Sequence, residues 1–368
     1  MASPFVYEKP VPPDDLVDRA AELNELVDRA LDGRNSRLEG PRRFGKTSLL
    51  KAALSQCERQ DAITIQVDFL GCVSDADVSE RIERAYSAQL DSRLRRWFEG
   101  LIRTLHPTVS AAPGGVGVKA QPRITAPGLL DRLALPRRIH ARTGRMCVVA
   151  FDEFQEVLKL GASLPGVFRS ELEGQGDAAA YIFSGSHPGL MREMFSDRRH
   201  AFFAQAAPIA IGALPADELA DFITGRFEQS GRDPGDALGP LLDTAEGHPQ
   251  RAMLLAHHLH EQVTPGQAPD LELWLDALED ARREAAGEIQ VLWAECTELE
   301  RRVLKVVAHR TIPLGGREAE ARFGLTKGGS ASAVIERFVA DGHVTRDETT
   351  RTGWRIVDPF LAAWLRDA

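Results

Sequence analysis

Apolar and polar positions change period several times along the chain. Near the start, Ala20, Leu23, Leu26, Val27, Ala30 and Leu31 recur at helical spacing, with Asp18 placed to cap the helix. Asp61–Gly71 ("DAITIQVDFLG") alternates and predicts a strand. A long charged helix is expected from "VSERIERAYSAQLDSRLRRWFEGLIRTL", and a further helix from "GLLDRLALPRRIHART", interrupted at Pro136. Between them Ser110–Ile124 reads as a hairpin insertion or loop. Three segments are near-continuous apolar runs: Met146–Phe151, Ala178–Ser186 and Ala207–Leu214. Such runs mark strands buried on both faces of a parallel sheet, and alternation with helices predicts a doubly wound α/β core.

From Pro215 the pattern turns helical, in four segments that end near Cys296. From Thr297 three short helical patterns precede a two-stranded hairpin over "HVTRDETTRTGWRIVD", and "PFLAAWLRD" predicts a closing helix. That order is the one of a winged helix. The expected division is an N-terminal segment at 1–35, a core at 36–214, a helical lid at 215–296 and a winged-helix domain at 297–368.

Composition narrows the function. The 368 residues are enough for two or three domains, and the formal net charge of −9 does not suit a nucleic-acid coat. From Thr297 onward there are twelve Lys or Arg against ten Asp or Glu, a net +2 against −11 for the rest. Cys57, Cys72, Cys147 and Cys296 are far apart, which argues against a zinc or disulfide framework. No apolar run reaches membrane-spanning length, and "MASPFVYEKP" has no signal-type apolar core, so a cytoplasmic protein without membrane contact is expected. His257, His258 and His260 lack the i, i+4 spacing of a helical metal pair, and Trp354 and Trp364 read as packing residues.

The chemistry is concentrated in "GPRRFGKTSLL", which contains G-x-x-x-x-G-K-[ST] from Gly40 to Thr47. In this pattern the glycines let the loop wrap phosphates, so Gly40, Pro41, Arg42, Arg43, Phe44, Gly45, Lys46, Thr47 and Ser48 are candidate nucleotide-binding residues. Lys46 is placed to reach β- and γ-phosphates and Thr47 to bind Mg²⁺. The strand Met146–Phe151 leads into Asp152 and Glu153. Asp152 fits a Mg²⁺-binding acid and Glu153 a general base for water. Ser184 or Ser186 is placed to sense a γ-phosphate, and Arg251, at the start of a lid helix, to reach back to it. Arg192, Arg198 and Arg199 are candidate trans-acting fingers. With no N-K-x-D motif in the chain, adenine is preferred over guanine, so the expected cofactors are ATP and Mg²⁺.

Together, "GPRRFGKTSLL", "VVAFDEFQE", "IFSGSHPGLM" and "IVDPFLAAWL" resemble the archaeal-type P-loop ATPases of the AAA+/STAND group, near the origin-recognition ATPases. The resemblance runs from about Leu16 to Leu365. It implies an AAA+-type α/β core, a helical lid and a C-terminal winged helix. It also implies that "DLVDRAAELNEL", with Val17 and Arg19, flanks the adenine. "AFFAQAAP" departs from the aromatic-Gly-Arg turn of many relatives. Three functions are compatible with these residues. One is an ATP-driven switch that controls assembly or partner engagement, with a homo-oligomer as one outcome. Another is a DNA-binding loader that reads through the winged helix with Lys327, Arg346, Arg351 and Arg355. The third is a small-molecule kinase.

Overall fold

The computed structural model describes residues 3–105, 126–161, 163–266, 269–325 and 330–367. The expected insertion at 110–124 and Lys327 lie outside them. Helix α1 (Ala20–Leu31) leads into β1 (Ser36–Glu39), α2 (Lys46–Arg59) and β2 (Ile63–Asp68). The long charged pattern forms two helices, α3 (Asp75–Gln89) and α4 (Ser92–Leu105), because Asp91 accepts from the amides of Arg93 and Leu94 and starts a new helix. Next come α5 (Ala126–Leu133) and α6 (Leu135–Thr143), with Pro136 in the first turn of α6, where its missing N–H costs nothing. Then follow β3 (Cys147–Asp152), α7 (Glu156–Leu160), α8 (Leu164–Leu172), β4 (Ala179–Ser184), α9 (Pro188–Ser196) and β5 (Ala207–Ala210).

The five strands form one parallel sheet in the order β2-β3-β4-β1-β5. β3 and β4 are buried along their whole length, as their apolar runs require. β1 is also central although it reads Ser-Arg-Leu-Glu. The Arg37 guanidinium is accommodated by Glu39 and by the carbonyl of Ala206 at 3.1 Å. An apolar cluster covers each face of the sheet. One is built on Leu49, Leu50 and Ala53 of α2 with Leu26 and Val27 of α1. The other is rich in aromatics, with Phe151 and Phe154 each in ring contact with Phe168 and Phe183.

The remaining chain is helical: α10 (Ala216–Gln229), α11 (Leu238–Ala245), α12 (Pro249–Gln262) and α13 (Leu271–Glu295), then α14 (Glu298–Ala308), α15 (Arg317–Phe323) and α16 (Ser330–Ala340). The antiparallel pair β6 (Val344–Arg346) and β7 (Trp354–Ile356) and helix α17 (Pro359–Asp367) complete it. A single apolar cluster runs from Phe5 and Leu219 through Leu255, Trp274 and Val303 to Leu365. The helical segment and the C-terminal segment therefore share one core. No described helix is long and apolar enough to cross a membrane.

One expectation at the N-terminus fails. Asp18 does not cap α1; it adopts a left-handed φ of 40°, and the cap position is Arg19, with no side-chain cap bond.

Candidate functional site: a phosphate-type loop at the sheet's C-terminal edge

Parallel strands place their carboxyl ends on one edge, so the loops after β1, β3 and β4 converge there. The loop from Gly40 to Gly45 joins β1 to α2. Its two motif glycines answer different demands. Gly45 sits at φ +88°, a conformation that side chains rarely adopt, with open space around it. Gly40 has no such angle; a Cβ there would lie 2.6 Å from the Ile211 carbonyl oxygen, so its role is close approach to the segment after β5.

Lys46 opens α2 and is 7% exposed. Its Nζ donates to the carbonyls of Gly40 (2.9 Å) and Pro41 (2.6 Å), so the lysine curls over its own loop. Burial lowers its pKa to about 8, opposed by the nearby charges of Glu153 and Asp152. Thr47 Oγ1 donates to Asp152 Oδ2 at 3.3 Å, and Gln66 Nε2 to the same oxygen at 3.4 Å. Burial raises the Asp152 carboxyl above its ordinary range, and the neighbouring charge of Glu153 pushes the same way. The Asp152–Thr47 pair could hold a divalent cation through oxygen ligands.

Glu153 follows at a left-handed φ of 51°. Its Oε2 accepts from Ser186 Oγ at 2.7 Å and from Gln155 Nε2 at 2.6 Å. Lys46, Thr47, Asp152, Glu153 and Ser186 line a cleft of about 350 Å³. The opposite wall combines the N-terminal strap (Tyr7, Pro10, Val11) with Val17, Phe222 and Met253. The strap is tied to α2 through Val11 N–H, which donates to Ser48 Oγ at 3.1 Å. Arg19 lines the cleft as well, with Nη2 donating to the Gly212 carbonyl at 2.5 Å. The cleft thus has a polar end, with a buried ammonium, a helix N-terminus and two carboxylates, and a more apolar end suited to a planar base.

The structure holds one expected residue away from the cleft and ties another to a carboxylate at its rim. Arg251, expected to reach a γ-phosphate, is 2% exposed and clamps Asp358, with Nε to Oδ1 at 3.1 Å and Nη2 to Oδ2 at 2.6 Å. It also lies over the Phe360 ring at 5.1 Å and 3.6 Å from Glu288. The C-terminal segment provides a closer, doubly bonded carboxylate, which explains the reversal. Arg43 lines the cleft, but its guanidinium pairs with Glu288 of α13. Arg42 lines the cleft, and Phe44 is buried with its ring 4.8 Å from that of His248. Arg192, Arg198 and Arg199 are exposed, and Arg199 is held by Asp197 at 2.6 Å.

Sequence reasoning missed Gln66, Gln155, Glu288 and Asp358. Gln155 and Asp358 stood inside strings already singled out, "DEFQ" and "IVDPF". Glu288 sits on an evenly charged helix, with nothing to distinguish it from its neighbours.

By sequence, no family model and no curated protein matches the chain. By structure, it is similar to a Walker-type ATPase of Pyrococcus abyssi (TM-score 0.70, 17% identity, covering 98% of this chain and 99% of that one). It is also similar to the ORC2 protein of Aeropyrum pernix solved as ADPNP–ADP complexes (TM-score 0.61, 17% identity, 98% and 95% covered). A third is the Aeropyrum pernix ORC1 protein in complex with DNA (TM-score 0.50, 15% identity, 96% and 93% covered). At these identities the likeness is one of fold, and the fold is the AAA+-type P-loop ATPase fold.

Proposed function

We propose that this chain binds ATP with Mg²⁺ in the cleft, hydrolyses it, and uses the nucleotide state to control how its C-terminal domain is held: a molecular switch of the AAA+/STAND type. The parts of the switch are the four segments expected from the sequence, at 1–35, 36–214, 215–296 and 297–368. Lys46 and the loop amides hold phosphates, Thr47 and Asp152 hold Mg²⁺, Glu153 receives the proton of the attacking water, and Ser186 holds Glu153. Mg²⁺ supplies charge neutralisation on the phosphates when bound. Val17 and Arg19 flank the base. The buried, lowered-pKa lysine supports this reading, because a cation already stripped of water gains most from a polyanion.

The observation that carries the switch is a chain of ion pairs from the phosphate loop to the C-terminal domain. Arg43 pairs with Glu288, Glu288 lies 3.6 Å from Arg251, and Arg251 is bonded to Asp358. Backbone packing runs alongside: a Cβ on Gly342 would lie 3.9 Å from Pro41 Cα, and one on Gly189 only 2.4 Å from Ala340 Cβ. Phosphates entering the loop compete with Glu288 for Arg43, which gives nucleotide a direct handle on the docked C-terminal domain.

The DNA-loader reading is favoured by the winged-helix order and by the shared fold with a protein solved on DNA. Against it, the end of α16 is packed on α9, Arg337 pairs with Glu300, Arg355 lies 3.7 Å from Asp347, and Arg346 stacks on Trp354. Of the basic groups such a reader needs, Arg346 and Arg355 are engaged within the C-terminal segment, while Arg351 is exposed.

The deciding experiment uses Glu153→Gln, which keeps the cleft but removes the base. Its solution mass and hydrodynamic radius are measured with and without ATP and Mg²⁺. The expected outcome is retained ATP together with a rise in mass, by homo-oligomer formation, or in radius, by release of the C-terminal domain. Bound ATP with both quantities unchanged sinks the switch, and salt-dependent retention on duplex DNA in that state moves the assignment to the loader.

A further inference from the structure

We propose that Gln155 is a positioning residue for Glu153, anchoring one carboxylate oxygen so that the other is left to take the proton of water. This rests on the reading of Glu153 as the base. The segment Asp152-Glu153-Phe154-Gln155 leaves β3 in a tight turn: Glu153 is left-handed, Phe154 N–H bonds the Ser184 carbonyl at 2.9 Å, and Glu156 N–H bonds the Glu153 carbonyl at 3.0 Å. The turn folds Gln155 back under Glu153. The Gln155 side chain is fully buried, and Nε2 donates to Glu153 Oε2 at 2.6 Å, with Glu156 Oε1 further off at 3.5 Å. Ser186 donates to the same Oε2 at 2.7 Å from the turn after β4. Two donors on one oxygen occupy its lone pairs, whereas Oε1 accepts from no side chain among the described residues.

Burial of this amide is not explained by packing alone. Its carbonyl oxygen is enclosed and has no hydrogen-bond partner, a state that buried amides in a core ordinarily avoid. Room for it is made by Gly185: a Cβ there would lie 2.2 Å from Gln155 Oε1 and 2.8 Å from Met191 Sδ. The turns after β3 and β4 are thus fitted to each other around this side chain. What the fit secures is the hydrogen bond to Glu153. Fixing the rotamer of a base matters because a displacement of about 1 Å can cost on the order of a hundredfold in rate.

The test measures single-turnover ATP hydrolysis and, separately, ATP affinity for Gln155→Leu, Ser186→Ala, Glu153→Gln and each double variant with Glu153→Gln. Leu keeps the volume of Gln155 and removes its donor. The expected result is a fall in hydrolysis of roughly tenfold to a hundredfold for Gln155→Leu, with ATP affinity kept within about twofold. In the Glu153→Gln background the same change should cost nothing further, since the group it positions is gone. Unchanged hydrolysis in Gln155→Leu, a loss matched by lost ATP affinity, or a loss that adds to that of Glu153→Gln overturns the inference. If Gln155→Leu does not fold, Ser186→Ala decides, because it removes the other donor from the same oxygen at a half-exposed position. It should lower hydrolysis severalfold and non-additively, and an unchanged rate overturns the shared anchoring. Full hydrolysis by Glu153→Gln is a separate result that removes the base assignment itself, whatever Gln155 does.

Discussion

The cleft and the docking network share the same loop, yet they are held in opposite ways. On the cleft side, Asp152, Glu153 and Ser186 stand at or just past the ends of parallel strands, and Lys46 and Thr47 open the helix after β1, behind a sheet with an apolar cluster on each face. Their partners lie in the same or adjoining loops, from 2.6 Å for Lys46 on Pro41 to 3.3 Å for Thr47 on Asp152. On the docking side, Arg43, Glu288, Arg251 and Asp358 come from four distant points in the chain and meet only because the helical and C-terminal segments share one core. The first arrangement is stiff and suits chemistry. The second is a string of charges whose ends can exchange partners, and that suits a response to a polyanion.

The sharpest break in this comparison is Arg251→Ala. Arg251 is almost fully enclosed, and Asp358 is held below the usual carboxylate range: burial, the largest single effect, pushes it up, but the Arg251 bonds and charge together with the Phe360 N–H outweigh it. Removing one partner strands the other, at a cost of about 3–5 kcal/mol. Denaturant unfolding should show that loss, and the α12–Asp358 contact should open without nucleotide. Replacing the pair together, Arg251→Met with Asp358→Leu, should restore most of the stability but not the nucleotide response. If Arg251→Ala alone costs under about 1 kcal/mol, the pair is a surface contact and the comparison fails.

The next effect in size is acid sensitivity at His248. Burial pushes this imidazole down to about 4, its ring lies against Phe44 of the phosphate loop, and its Nδ1 accepts from the Arg251 N–H at 3.3 Å. The folded state keeps it neutral, while the unfolded chain protonates it near its ordinary value. Its contribution is therefore complete above about pH 6.5 and declines as pH falls toward 4. Between pH 7 and pH 5 the loss is about 2 kcal/mol. His248→Asn keeps a capping acceptor and has no titrating group, so the difference in stability between pH 7 and pH 5 should shrink by that amount. An unchanged pH slope would place the acid sensitivity elsewhere.

These two sides also differ in how far sequence exposes them. Cleft residues were legible because phosphate chemistry fixes spacing within a few residues: Gly40 to Thr47 is one string, and Asp152-Glu153 ends an apolar run that only a buried strand explains. The docking partners were not legible, because an ion pair between residues 107 apart, such as Arg251 and Asp358, leaves no local periodicity. In the sequence Arg251 is only a charge near a helix start, and the competing carboxylate, Asp358, ends a string that reads as a hairpin. The shared core of the helical and C-terminal segments was equally hidden, since each segment's apolar stripe is consistent with a separate domain.

Arg43→Ala and Glu288→Gln test the smallest effect and the finest point of the comparison. This pair is partly solvated, with Arg43 at 32% and Glu288 at 51% side-chain exposure, so water screens it. Arg43 hydrogen bonds hold Glu288 below its ordinary range despite the opposing effect of burial. In thermal unfolding, Glu288→Gln should cost no more than about 1 kcal/mol. Its effect on nucleotide should run the other way. With Glu288 neutral, Arg43 is released to phosphate, so ATP affinity should rise by a few-fold, while Arg43→Ala should lower it. A switch requires these two changes to have opposite signs, because one removes the competitor and the other removes the group competed for. If both variants weaken ATP binding alike, the pair props the loop in shape, and the ionic path from phosphate to Asp358 is broken at its first step.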